Sequence, residues 1–412
     1  MTEASLSDWL HTLERLHPKE IDLGLERVGI VAERLGLLEC VPTTITVAGT
    51  NGKGSVVALV SQGLRSAGLH TGVYTSPHLV RFNERLEIDG EAITDAELVS
   101  VFAEIEDARG DVSLTYFEFA TLAALLWFRR SKVDVQVLEV GLGGRLDAVN
   151  LIDATVAVIT SIGLDHTDWL GPDRDAIGRE KAAIARAGRP CVIAESDPPR
   201  GLLEVLSDIG ARALFLGQDW HVNDRQFTSA LNKSLPLPQP AGLLPSNVGA
   251  ALQALECLSL VNLSAGLLSD LQAVRLPGRL QRIMVGHVDV VLDVAHNTEA
   301  VEKLMQFVEQ HPVPGVTRAI FGVMGDKPMR DMIARCAGRV DEWYIATLPE
   351  IPRSATSEQL LSLLTQEEVA AVGEVPSLWR TLLDRSQPGD RVLVFGSFHV
   401  VGQVSGSVAV AA

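Results

Sequence analysis

Four cysteines, Cys40, Cys191, Cys257 and Cys336, are spread thinly over 412 residues and fall into no metal-ligand spacing. They offer neither a disulfide framework nor a zinc site, and they read as buried thiols of a reducing compartment. Basic residues are the minority, 35 against 52 acidic, for a net charge of −17. Such a balance argues against nucleic acid or an anionic membrane as the main partner, and it confines any anionic substrate to a locally basic site. The apolar run 120–128 is too short to span a bilayer. The opening residues Met1, Thr2, Glu3, Ala4 and Ser5 lack the basic and apolar regions of a signal peptide. Short repeats and low-complexity tails are missing too. A cytoplasmic protein is expected.

Against these absences stands an apolar content of 47%, ample for burial. The length exceeds one ordinary core, so two domains are expected. The stretch that organises the chain is Val47, Ala48, Gly49, Thr50, Asn51, Gly52, Lys53, Gly54 and Ser55. A β-branched run, residues 44–47, precedes it, and helical spacing follows to about Gly68. Strand, glycine-rich turn and helix in that order make a phosphate cradle, with backbone N–H groups and the helix N-terminus aimed at an anion. Lys53 can reach the β- and γ-phosphates, and the Ser55 hydroxyl a magnesium ion. Gly54 between Lys53 and Ser55 departs from the usual P-loop spacing.

Helices are expected at 5–17 and up to about Leu38, with Asp22 in the position of a helix cap. A second strand, residues 70–75, ends at Ser76, Pro77 and His78, on the sheet edge where open α/β folds bind ligands. Thr94 and Glu97 form a capping box for a helix to about Ala108, and 115–130 is a strongly apolar helix. Strand 133–140 carries Glu139, a carboxylate that is costly to bury without a cation. It stands where a Walker-B acid would, so a magnesium role is one reading and a salt bridge to Arg145 the other. Strand 154–162 leads to Asp165, His166 and Asp168. His166, on chemistry alone, is no obvious ligand for magnesium, which prefers oxygen. Asp173 can cap the helix carrying Lys181, a residue type that is normally a solvated charge. Strands 190–195 and 212–216 follow. Residues 231–245, with four prolines, read as an irregular connection. Helices near 247–260 and 264–273 precede the expected domain boundary, near residue 285. Beyond it, strands 288–294, 318–323, 343–347 and 391–395 alternate with helices as a smaller doubly wound α/β domain. It lacks a glycine-rich dinucleotide fingerprint, which argues against NAD.

Six motifs occur in order: residues 49–55; Ser76, Pro77, His78 and Leu79; residues 138–147; residues 163–171; Pro277, Gly278 and Arg279; and Asp293, Val294, Ala295, His296 and Asn297. Together they resemble the folylpolyglutamate synthase branch of the Mur ligase superfamily over nearly the whole chain. The likeness is strongest to its bacterial bifunctional dihydrofolate synthase/folylpolyglutamate synthases, which share residues 21–28, 114–118 and 169–181. The resemblance implies an N-terminal P-loop domain, 1–285, that binds ATP and pterin. It implies a C-terminal Rossmann-like domain, 286–412, that binds glutamate. Activity, by the same resemblance, is the ATP-dependent ligation of L-glutamate to dihydropteroate and to the γ-carboxylate of reduced folates, through an acyl phosphate. Residues 50–55 would bind the ATP phosphates. Ser55, Ser76, Glu139 and His166 would hold two magnesium ions, and Lys181 would be carbamylated. Asn247, Arg279 and Asp293 would contact the nucleotide. Glu20, Ile21, Asp22 and Leu23, with Thr115, Tyr116, Phe117 and Glu118 and with Leu146, Asp147 and Ala148, would shape the pterin site. His296 and Ser397 would help hold glutamate. A monomer is expected. Ser55 stands where many relatives have Thr, and Thr298 where Pro often follows.

Three other activities fit parts of this pattern. A monofunctional folylpolyglutamate synthase or another Mur-type amide ligase shares the core, although peptidoglycan-precursor ligases carry a UDP-sugar domain before the P-loop that the stretch before Gly49 is too short to supply. A nucleotide-regulated binding protein would need no acid like Glu139. A small-molecule kinase would need no glutamate site.

Overall fold

The computed structural model describes residues 5–365 and 367–409, and the chain divides into two compact units. The first comprises residues up to His78, 82–240 and 244–274; the second comprises 79–81, 241–243 and 275 onward. The division therefore falls at Val274 and Arg275, ahead of the expected 285. Strand Gln281–Val285, on the near side of that expected boundary, pairs in register with the strand after it, so its hydrogen bonds belong to the second unit.

In the first unit the strands are β1 (Thr43–Ala48), β2 (Thr71–Tyr74), β3 (Leu86–Ile88), β4 (Glu91–Ala92), β5 (Val135–Glu139), β6 (Val156–Ile159), β7 (Pro190–Ile193) and β8 (Arg212–Phe215). They form one sheet in the order β4-β3-β2-β5-β1-β6-β7-β8. From β2 to β8 every pairing is parallel, while β3 and β4 are antiparallel additions. The central strands are buried almost throughout, as parallel strands covered on both faces must be, with the threonines of β1 and with Gln136 and Glu139 of β5 among their apolar residues. Register sets Val47 opposite Glu139 and Ala48 opposite Ile159, so the C-terminal ends of β5, β1 and β6 lie level. After β1 the chain moves to the β2 side, and after β5 to the β6 side. That reversal is the topological switch point, where crevices for ligands open.

The helices of this unit are α1 (Leu6–Leu16), α2 (Glu26–Arg34), α3 (Lys53–Ser66), α4 (Asp95–Arg109), α5 (Tyr116–Ser131), α6 (Thr167–Leu170), α7 (Arg174–Ala182), α8 (Arg200–Ile209), α9 (Pro245–Cys257) and α10 (Ala265–Gln272). Thr94 and Thr115 each close a capping box, with Glu97 and Glu118, and Asp173 caps α7. Asp22 does not cap α2, whose N-cap is Leu25 without a side-chain bond; arginine and histidine claim its carboxylate instead. Residues 231–245 are not wholly irregular. Ser234–Pro236 is β11 of a small antiparallel sheet with β9 (His221–Val222) and β10 (Gln226–Thr228). Strands of two or three residues are too short to show alternation.

The second unit holds β12 (Gln281–Val285), β13 (Val288–Leu292), β14 (Thr317–Phe321), β15 (Glu342–Thr347), β16 (Val369–Glu374) and β17 (Arg391–Phe395), in the order β12-β13-β17-β14-β15-β16. Only β12 is antiparallel. Helices α11 (Thr298–Gln310), α12 (Met329–Cys336), α13 (Ser357–Leu363), α14 (Val375–Arg385) and α15 (Phe398–Ala409) accompany the sheet. Two apolar clusters, one on each face, make it doubly wound. Among the described residues no helix is long and apolar enough to cross a membrane.

At the N-terminal edge of this sheet Arg391, fully buried, donates from Nε to Asp289 Oδ2 at 2.8 Å, and Arg282 Nε donates to Oδ1 at 2.6 Å. Burial works against the charged Asp289, but hydrogen bonds from the two arginines outweigh it and hold the carboxyl below the ordinary range. Removing it strands a guanidinium inside the fold. Asp289→Ala should therefore destabilise the second unit by about 3–5 kcal/mol at neutral pH, read from urea denaturation. Because the folded value is depressed, the difference from wild type should shrink as the pH falls through it.

Candidate active site

The turn after β1 approaches its neighbours so closely that side chains would not fit. Gly49, at φ 153°, leaves no room for a Cβ, which would lie 1.8 Å from Thr160 Oγ1. Gly52, at φ 87°, is the left-handed N-cap of α3. The loop after β6 holds this turn in shape. Thr50 N donates to the Ser161 carbonyl at 2.7 Å, Asn51 N to Ser161 Oγ at 3.0 Å, and Thr160 Oγ1 to the Asn51 carbonyl at 2.6 Å. Gly163 N donates to Thr50 Oγ1 at 3.0 Å. Lys53 Nζ folds back over the turn and donates to the Gly49 carbonyl at 3.0 Å. Backbone N–H groups at a helix N-terminus with a lysine across them form an anion cradle. Asn247, on α9, brings its amide to the same place: a Cβ on Gly52 would lie 2.7 Å from its Oδ1.

On the β5 side, Glu139 is buried at 5% exposure and accepts from Ser76 N at 3.3 Å. Arg145 pairs with Glu180 instead, at 2.9 Å, so the salt bridge to Arg145 weighed for Glu139 does not form. On the β6 side, His166 sits at φ 51° as the N-cap of α6. Ser76 and Glu139 thus meet beside β1, while His166 lies on the loop across it. Among the described residues no three His, Cys, Asp or Glu side chains converge as a ready cation cage. Ser55, in the first turn of α3, and Ser76 and Glu139, beside β1, are hydroxyl and carboxylate oxygen donors. That set fits magnesium, which takes one or two carboxylates and keeps waters or phosphate oxygens for the rest.

Lys181, in the last turn of α7, is 4% exposed beneath the loop after β5; a Cβ on Gly144 would lie 2.6 Å from the Glu180 carbonyl. Burial, joined by repulsion from Lys53, pushes its ammonium down to about 7. The two lysines therefore share one electrostatic neighbourhood, and Lys181 is not the solvated charge its type suggests. Asp147 is also buried, and burial lifts its carboxyl to about 6 even though it accepts from Gly141 N, Leu142 N and Val149 N. Phe117 packs on the same loop, 2.6 Å from where a Gly141 Cβ would stand, with its ring 5.9 Å from that of Tyr74. Leu146 and Ala148 flank Asp147. Thr115 and Glu118 form the α5 capping box, and Asp22 is tied to Arg27.

In the second unit the expected residues also gather. Asp293, buried, accepts from Leu280 N at 2.7 Å and from Ala295 N at 2.8 Å, and burial raises its carboxyl. The Arg279 guanidinium lies 5.0 Å from the centroid of the Phe398 ring, and the His296 ring lies 6.2 Å from it. Ser397 Oγ accepts from Val400 N at 3.3 Å in the first turn of α15. Phe398, Thr160 and Ser161 are absent from the sequence-level candidates. The only signal for them is their place just past the ends of β17 and β6.

Comparison with known proteins settles the family. Residues 47–234 match the Mur ligase middle domain and residues 278–398 the Mur ligase glutamate ligase domain. The dihydrofolate synthase/folylpolyglutamate synthase of Escherichia coli (strain K12) is 45% identical over 97% of this chain and 94% of its own length. The chain belongs to the dihydrofolate synthase/folylpolyglutamate synthase family. The Haemophilus influenzae member is 37% identical over 97% of this chain and 96% of its own. Among solved structures, E. coli FolC in complex with DHPP and ADP is 44% identical with a TM-score of 0.93, covering 99% of this chain and 98% of that one. A family structure with Mn, AMPPNP and L-glutamate bound is 43% identical with a TM-score of 0.91, covering 98% of each chain.

The Lys181 ammonium carries a stability signature. Its value, about 7, is below the ordinary 10.5, so the folded state binds fewer protons between those limits. Its destabilising effect is full below pH 7 and fades towards pH 10.5. In bicarbonate-free buffer, Lys181→Met should raise Tm most at acid pH, with the gain shrinking as the pH rises.

Proposed function

We propose that this protein joins L-glutamate to dihydropteroate, and to the γ-carboxylate of reduced folates, using ATP as a substrate. The observation that carries this reading is the meeting of the P-loop, Ser76 with Glu139, and buried Lys181 at one switch point. The relatives of the same length and fold that bear both activities in their names support it. Its setting is the cytoplasm.

A carboxylate does not condense with an amine at neutral pH, because oxide is not a leaving group. Transfer of the γ-phosphoryl group of ATP to the carboxylate makes an acyl phosphate, which the glutamate amine attacks with loss of phosphate. The amides at the start of α3 and Lys53 stabilise the charge on the transferring group, in a turn that the loop after β6 holds in shape. Asn247 closes the cradle from α9, and Arg279 and Asp293 are further candidates to contact the nucleotide. Ser55, Ser76, Glu139 and His166 would hold magnesium, which would supply positive charge at the phosphate site. A Lys181 amine that is half deprotonated near pH 7 is suited to react with dissolved carbon dioxide; the carbamate turns a cation into an oxygen donor beside that site. Phe117, set against the 141–147 loop, offers a flat apolar face for a pterin, and Asp22 an acceptor for its amino group. Segments 20–23 and 115–118 complete that pocket, and His296 and Ser397 receive glutamate.

The direct test is phosphate release by purified protein with ATP, glutamate and either dihydropteroate or a reduced folate. Both substrates should support it, and silence with both would overturn the reading. Lys53→Ala should fold normally and lose the activity about 100-fold or more, as removal of one preorganised charge contact does. With heavy oxygen in the substrate carboxylate, one label should appear in released phosphate. Phe117→Ala should weaken dihydropteroate turnover more than folate extension, because the longer substrate needs a different pterin placement; equal losses would refute a separate pocket.

A further inference from the structure

Both halves of the pocket assigned to dihydropteroate are fastened by side chains to which the ligation chemistry gives no role. Arg27 stands in the first turn of α2. Its NH1 donates to Asp22 Oδ2 at 2.8 Å, and its NH2 to the Asp22 carbonyl at 2.6 Å. The same NH2 donates to Glu118 Oε1 at 3.1 Å, so one guanidinium bridges segments 91 residues apart. Glu118 is buried at 3% exposure, and its other oxygen accepts from Thr115 N at 2.7 Å. His17, the C-cap of α1, secures the far side: Nε2 lies 3.1 Å from Asp22 Oδ2, and Nδ1 lies 2.5 Å from Ser113 Oγ.

This arrangement fixes geometry more than it adds stability. A buried ion pair contributes little net free energy against an apolar replacement, because desolvation offsets attraction. A planar guanidinium fork, in contrast, holds its acceptors at set distances and angles, which an ammonium cannot do. The bond to the Asp22 carbonyl pins backbone as well as side chain. The bond to Glu118 reaches the N3 position of the α5 capping box, one residue beyond Phe117.

We propose that Arg27 is a positioning residue for the dihydropteroate pocket: it holds the 20–23 segment at a fixed spacing from the first turn of α5, and so sets the preference for the shorter substrate over reduced folates. The proposal rests on the ligase reading above. Reduced folates, longer by one glutamyl unit, place their pterin elsewhere and do not depend on this spacing.

The test compares wild type, Arg27→Ala and Arg27→Lys by phosphate release, with dihydropteroate, a reduced folate and ATP each varied in turn. Arg27→Ala should raise the KM for dihydropteroate about tenfold, a loss of about 1.4 kcal/mol. Its kcat, and its KM values for the reduced folate and ATP, should stay within about twofold, the pattern of lost ground-state positioning. Arg27→Lys, which keeps the charge and loses the fork, should recover only part of the affinity. A folded Arg27→Ala that leaves both pterin KM values unchanged, or raises them equally, overturns the proposal and leaves the ligase reading intact. Should Arg27→Ala fail to fold, Arg27→Lys decides, and unchanged selectivity there overturns it. Wild type that extends folates and ignores dihydropteroate overturns this proposal together with the two-substrate reading.

Discussion

The parallel pairing of β1 between β5 and β6 is the constraint on which the nucleotide end of the molecule depends. With Val47 level with Glu139 and Ala48 level with Ile159, the three strands release their chains at one height. The turn after β1 then finds the hydroxyls of Thr160 and Ser161 on one side and the Glu139 carboxylate on the other. Slipping β6 by one residue would swap the faces of its side chains. Thr160 would leave the turn, and the space into which Gly49 fits would close.

Burial then does to charge what register does to position. Lys181 and Asp147 lie beneath the loop after β5, and desolvation moves each towards its neutral form. A lysine near 7 and a carboxyl near 6 are groups that can change state at physiological pH, unlike the same residues in water. Asp22 differs. Its surroundings are more open, and the Arg27 and His17 contacts keep it ionised against what burial it has. The site thus contains two kinds of acid, one kept near neutrality by dryness and one held charged by its partners.

How much of this could be read from the residues depended on range. The P-loop was legible because its glycines occupy backbone that only glycine adopts easily, and because a β-branched run and a helical run flank it. Capping boxes at Thr94 and Thr115 were legible because three-residue spacing is local. The long parallel strands showed as apolar runs, whereas β9, β10 and β11 were too short to show a period, and β12, with its alternating half-exposed pattern, resembled the tail of the preceding segment. The contacts of Asp22 are not legible locally: an Asp just before a helix suggests a cap, whereas Arg27 and His17 hold its carboxylate in space. Lys181 could not be told from a surface lysine without knowing what covers α7. For His166, Ser76 and Lys181, the proposed roles rest on family resemblance and not on residue chemistry.

Helix α3 and its cap present glycines to side chains of α9. Asn247 rests on Gly52, and three turns further along, a methyl at Gly63 would lie 2.4 Å from Leu255 Cδ1. The wall of the phosphate turn is thus built from a segment that leaves the ribosome long after the turn itself. While the chain is being made, β1, α3 and even β6 can be complete with one side of the cradle still missing. Nascent protein ending before residue 245 would carry every residue of the glycine-rich motif and still lack a finished nucleotide pocket. That wall of the phosphate cradle should arrive late in synthesis, when α9 docks.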